Sequence, residues 1–130
     1  MTGSSILYDR DCGFCRVSCA LVLALDRRRR LRPVAIQDPE GQRLLASVPE
    51  ERRLDSWHLV TGGGAAHSAG AAFVPLLRLL GAGPVARLLE RFPAATERGY
   101  RFVADRRTPL GRRIPAGLKL RADRLIDRRR

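Results

Sequence analysis

Apolar positions along this chain fall into short runs near the N-terminus and into helical spacing further on. Ile6-Leu7-Tyr8 is a brief apolar run that reads as a first strand. From Gly13 the apolar residues continue through Val17, Cys19 and Leu25, and the spacing predicts a helix over residues 13–26. Arg27–Arg30 follow, cations suited to the negative end of that helix. Leu31–Ile36 reads as a second strand, in which Pro33 fits only an edge or a strand start. Glu40–Ser47 is a short helix, followed by the polar connector Pro49–Arg53. Trp57–Val60 reads as a third strand, and the glycines at 62–64 predict a hairpin turn into a weak strand at Ala65–Ser68.

The second half reads as helical. A helix is predicted over residues 70–80, with Pro75 acceptable only in its first turn or at a kink. Gly81-Ala82-Gly83 ends it. Pro84 then opens another helix to Phe92 from the first helical position, where proline is favoured. Residues 94–106 are helical again, and beyond Thr108 the chain is rich in Arg, Gly and Pro. No internal repeat is present. The order through residue 80 is thus β-α-β-α-β-β-α.

The loop between the first strand and the first helix carries the chemistry. Asp9-Arg10-Asp11-Cys12-Gly13-Phe14-Cys15 places a C-x-x-C pair at the start of a helix. There, unpaired backbone N–H groups and the helix dipole favour thiolate over thiol, and the thiolate is the form that attacks disulfides. Cys12 is the expected nucleophile and Cys15, one turn on, the resolving thiol. Asp9 and Asp11 oppose the helix terminus by like charge, while Arg10 and Arg16 reinforce it. Asp11 is expected to cap the helix. Asp9 either accepts the Cys15 proton or fixes the loop. Cys19 is expected to pack in the core, with a second resolving role as the alternative, and His58 and His67 read as plain surface or satisfied histidines.

Zinc is the competing reading, because C-x-x-C is also half of a tetrahedral site. The other ligands would have to come from Cys19, His58 or His67, which form no second close pair. No metal and no bound cofactor is therefore expected, with electrons passing through the cysteine pair.

The helix order and the C-x-x-C position match a thioredoxin-like fold. The D-x-x-C-x-x-C spacing of Asp9, Cys12 and Cys15 closely resembles the DCC family of thiol-disulfide oxidoreductases. Trp57–Val60 before a glycine turn, Leu76–Gly81, and the aromatic-basic run Tyr100–Arg107 are similar to that family as well. The resemblance implies a thioredoxin-like α/β fold and redox-active cysteines. Thioredoxin-like proteins usually carry a cis-proline before the third strand, facing the cysteines; Ser56 stands at that position here. Ser56, Trp57 and Phe14 are accordingly the expected substrate contacts, with Ser56–His58 forming the wall opposite the cysteine pair.

Composition adds boundaries. At 130 residues the chain suits one domain, and its longest apolar run is far short of the roughly 20 residues of a membrane-spanning helix. No signal-peptide pattern opens it, and three cysteines make no disulfide framework, so a cytoplasmic setting is expected. The net charge of +12 is uneven: residues 98–130 carry twelve basic and three acidic side chains. The expected division is a redox domain over residues 1–107, with its core at 4–80, and a helical, basic C-terminal extension ending in an Arg-rich tail at 108–130 that is dispensable for the chemistry, although Leu118, Leu120, Leu125 and Ile126 could form an amphipathic turn or two that docks in part on the body. The expected partner is a disulfide- or dithiol-bearing protein or a small thiol; the basic segment reads first as a solvated charged tail, with an anionic partner as the alternative. The alternative is a non-catalytic zinc-stabilised or anion-binding module.

Overall fold

The strand β1 (Ser4–Tyr8) runs through the middle of a four-stranded sheet ordered β2-β1-β3-β4, in a computed structural model that describes residues 3–130. β2 (Leu31–Ala35) lies parallel to β1, β3 (His58–Val60) antiparallel to β1, and β4 (Ala66–Ser68) antiparallel to β3. Pro33 sits in the edge strand β2, where a missing N–H costs no ladder bond on the outer side. The turn between β3 and β4 uses Gly64 at φ +88°, a left-handed conformation that glycine adopts without strain. This mixed sheet is compatible with the expected thioredoxin-like fold.

Alternation along the strands feeds two cores, because successive strand side chains point to opposite faces. Leu7, Val34, Ile36 and Val60 pack with Leu45 on one face, beside α2 (Pro39–Leu44). Ile6, Tyr8, Leu31, Ala35 and Leu59 face the other way. On that side α1 (Gly13–Leu25) presents Cys19, Ala20 and Leu23, spaced three and four residues apart on one stripe.

The second half is helical, as expected, with a 3-10 turn at Ala69–Ala72 ahead of α3 (Phe73–Leu79). The turn places Pro75 in the first turn of α3, where its missing N–H is tolerated. α4 (Gly83–Arg91) and α5 (Pro93–Ala104) follow, and α5 crosses the 3-10 turn. Gly70 N–H donates to Glu97 Oε2 at 3.0 Å there.

Residues 108–130 are not the solvated tail that their composition suggests. α6 (Arg107–Arg113) and α7 (Ala116–Arg129) both pack on α1. Ala122 and Ile126 are buried in the same core as Leu23 and Cys19, whereas Leu118 and Leu120 stay exposed. Gly111 lets α6 approach α1 closely: a Cβ there would stand 3.2 Å from the Phe14 amide nitrogen. At the far end, Arg129 Nη2 pairs with Asp26 Oδ2 at 2.6 Å, with both side chains almost fully buried. Arg129 also donates to the carbonyls of Leu23 and Leu31, while Asp26 accepts the Arg30 and Leu31 amides. Composition hides this packing because the apolar side chains that carry it, Ala122, Leu125 and Ile126, are few among many charges.

Candidate functional site

The loop from β1 into α1 is fixed by Asp9. Its Oδ1 accepts the Asp11 amide at 3.0 Å and the Gln37 side-chain amide at 2.7 Å, tying the loop to the end of β2. Arg10 N–H adds a bond to Gln37 Oε1 at 3.1 Å. The expected cap by Asp11 is replaced by Cys12 itself. Cys12 is the N-cap residue, with extended backbone angles, and its Sγ accepts the Cys15 amide at 3.3 Å. A sulfur in that position takes the orphan donor that a capping oxygen would otherwise take.

The two thiols differ in their surroundings. Both are half-buried, but burial pushes the Cys15 thiol up to about 12, reinforced by its hydrogen bond to Cys12 and by the Cys12 and Asp9 charges; Arg107 pulls the other way. Cys15 therefore holds its proton next to Cys12 Sγ, which already receives the Cys15 N–H. The arrangement suits Cys12 as the attacking sulfur and Cys15 as the proton-bearing second thiol. Cys19, fully buried one turn further on, is also raised to about 12 by desolvation, which fits its packing role.

Charges converge on this helix start from several elements. Arg10 pairs with Asp38 at 2.8 Å and Arg16 with Asp123 of α7 at 3.0 Å, so the two neighbouring cations expected to act on Cys12 are already neutralised. Arg107, at the first position of α6, instead donates to the Leu54 carbonyl at 3.3 Å, which leaves its charge uncompensated. Lys119 lies over the start of α1, where a Cβ on Gly13 would stand 2.8 Å from its Cε. Reading the sequence missed Arg107 and Lys119 as neighbours of the site. Arg107 closes the aromatic-basic run at 100–107, which was the available signal.

Behind Cys15 lies a cavity of about 390 Å³. It is bounded by α1, the sheet, α3 and α5, with Phe14, Trp57, Phe73 and Tyr100 among its walls. The rings of Trp57 and Phe73 meet at 5.3 Å, and those of Phe73 and Tyr100 edge-on at 6.0 Å. The Tyr100 hydroxyl is pushed up by burial, reinforced by the Cys15 charge and opposed by the Arg107 charge. Of the three expected substrate contacts, Phe14 and Trp57 line this cavity and Ser56 does not; its hydroxyl donates to the Trp57 carbonyl at 3.1 Å.

His58 is buried on β3 and satisfied on both ring nitrogens. Nε2 donates to the Arg53 carbonyl at 2.7 Å, since a carbonyl can only accept, and Nδ1 meets Ser68 Oγ at 2.6 Å. Burial lowers its pKa. Among the described residues no group of three or more His, Cys, Asp or Glu side chains is arranged to hold a metal ion. Among them, too, no helix is long and apolar enough to cross a membrane.

No curated protein and no solved structure matches this chain. A family model does: that of the DCC1-like thiol-disulfide oxidoreductases spans residues 6–113, most of the chain and all of the site, and the protein belongs to that family.

Proposed function

We propose that this protein exchanges a Cys12–Cys15 dithiol for a disulfide on a thiol-bearing substrate. The observation that carries this reading is the asymmetry of the pair: Cys12 Sγ caps α1 and takes the Cys15 N–H, while Cys15 keeps its proton under desolvation. In the reductive direction the Cys12 thiolate attacks one substrate sulfur. The substrate S–S bond breaks, the far sulfur leaves with its electron pair, and Cys12 is held in a mixed disulfide. Cys15 then loses its proton and attacks Cys12 Sγ, releasing the second substrate thiolate. The protein ends as a disulfide and the substrate gains two electrons; the reverse sequence oxidises a dithiol.

Electrons are carried by the cysteine pair itself, with no bound cofactor, and the reading places the protein in a reducing cytoplasmic setting, supported by its three free cysteines. Trapping tests the assignment. Cys15→Ser should accumulate a Cys12 mixed disulfide, visible as an added mass on the intact protein. Cys12→Ser should lose exchange altogether; retained turnover in that variant would overturn the reading.

A further inference from the structure

We propose that the cavity behind Cys15 is a substrate pocket, and that it takes a small disulfide or dithiol with an aliphatic or aromatic body and a carboxylate. This rests on the exchange reading and names the substrate class for the same site.

Three features of the cavity point to that class. Its volume of about 390 Å³ lies within the range of small-molecule sites, roughly 300–1,000 Å³. Its walls are apolar, with Val22, Phe73, Leu76 and Val103 among them, so they reward hydrocarbon and offer little to a hydrated peptide thiol. Arg107 is the single charged residue in the lining, and no carboxylate among the described residues pairs with it. A guanidinium beside an apolar chamber fits a ligand that is greasy along its body and anionic at one end, because the planar fork binds carboxylate in a bidentate way.

Sulfur chemistry meets the same space. Cys15 forms part of the wall, and Cys12 Sγ lies 3.3 Å from the Cys15 nitrogen. A substrate seated with its carboxylate at Arg107 thus has its body beside Cys15, the neighbour of the attacking Cys12. The redox balance is that of ordinary exchange: the substrate S–S bond takes two electrons and becomes two thiols as the Cys12–Cys15 dithiol becomes a disulfide.

Binding and exchange are read separately. Trp57 is the sole tryptophan and lines the cavity, so its fluorescence reports occupancy. The full chain carrying Cys12→Ser and Cys15→Ser, which cannot exchange, is titrated with octanoate and with octanol. Saturable Trp57 changes are expected for both, with octanoate at least tenfold tighter, and Arg107→Gln should remove that preference. Gly99→Leu adds a bulky side chain at a glycine of α5 that lines the chamber, where a Cβ meets no atom within 4 Å and leucine is the better helix former. It should weaken both probes at least tenfold. In the chain with its cysteines intact, Gly99→Leu should lower kcat/KM for lipoate, an apolar cyclic disulfide with a carboxylate, at least tenfold relative to hydroxyethyl disulfide. The pocket proposal is overturned if neither probe binds saturably, or if octanoate holds no advantage that Arg107→Gln removes. An unchanged lipoate to hydroxyethyl disulfide ratio in Gly99→Leu overturns it as well. Loss of exchange with hydroxyethyl disulfide in the unaltered chain would instead refute the exchange reading, and the probe titrations would still read the pocket.

Discussion

The two ends of α1 are both met by cations from the C-terminal helices, and the difference between them separates structure from chemistry. At the C-terminal end Arg129 is sealed against Asp26, with both terminal nitrogens of the guanidinium and both carboxylate oxygens engaged. At the N-terminal end Arg107 and Lys119 lie near Cys12 and Cys15 without a carboxylate partner among the described residues. A saturated charge fixes a helix in place. An unsaturated one beside a thiol still has electrostatic work available, because burial has made the thiolate of Cys15 costly and a cation makes it cheaper. The same segment, α6 and α7, thus packs along α1 at one end and sets a cation near Cys15 at the other.

The sealed end should give the largest effect. Arg129→Ala leaves Asp26 buried without its counter-charge, and breaking such a pair costs about 3–5 kcal/mol. Truncation at Thr108 removes that pair together with Ile126 and Ala122, so the shortened chain should fail to fold, as judged by near-UV circular dichroism and urea unfolding. A cooperative, stable truncated chain would return residues 108–130 to the role of a dispensable tail. The exposed-side pair of Arg16 and Asp123 is the control: partly solvated pairs are worth ~0–1 kcal/mol, so Asp123→Asn should scarcely move the midpoint.

At the open end the effect is kinetic. Arg107 lowers the Cys15 pKa against burial, so Arg107→Gln should make the Cys15 thiolate scarcer and move the pH profile of the resolving step to higher pH. Mixed disulfide on Cys12 should then persist several-fold longer at neutral pH, with Arg107→Lys restoring most of the rate. No change in its lifetime would leave Arg107 without influence on Cys15. Asp9 acts with the opposite sign, since its charge raises the Cys15 pKa. Asp9→Asn keeps the Oδ1 acceptor for Asp11 and Gln37, so a loop-fixing Asp9 predicts unchanged or faster resolution, whereas a proton-accepting Asp9 predicts slower resolution.

The same contrast explains what the sequence made legible. The succession of strands and helices along the chain, the C-x-x-C at the start of α1 and Pro33 on an edge strand all follow from local rules. The docking of α7 does not follow, because it depends on residues 103 positions apart in an Asp26–Arg129 bond and on a buried stripe only two residues wide. Arg107 is a similar case: in a chain with so many arginines, only the fold shows which one lines the cavity beside Cys15. The cap was misjudged for another reason. Asp11 is the better capping residue by type, but Asp9 holds its amide and the chain enters the helix at Cys12.

The smallest expected effect concerns stability against pH and tests the sheet side of the comparison. His58 is buried with Nε2 donating to Arg53 and Nδ1 facing Ser68, so protonation would leave Nδ1–H competing for a hydroxyl in a desolvated site. Burial lowers its folded pKa below the unfolded value of about 6.5. The unfolded chain therefore binds more protons in the window below that value, and unfolding free energy rises with pH across it. The stabilisation is complete above pH ~6.5 and is lost as pH falls toward the folded pKa. Urea midpoints between pH 7.5 and 5 should fall accordingly. His58→Gln, which retains a donor for the Arg53 carbonyl, should flatten that slope at some cost in stability at neutral pH. A His58→Gln chain whose slope matches the parent would assign the pH dependence to other groups.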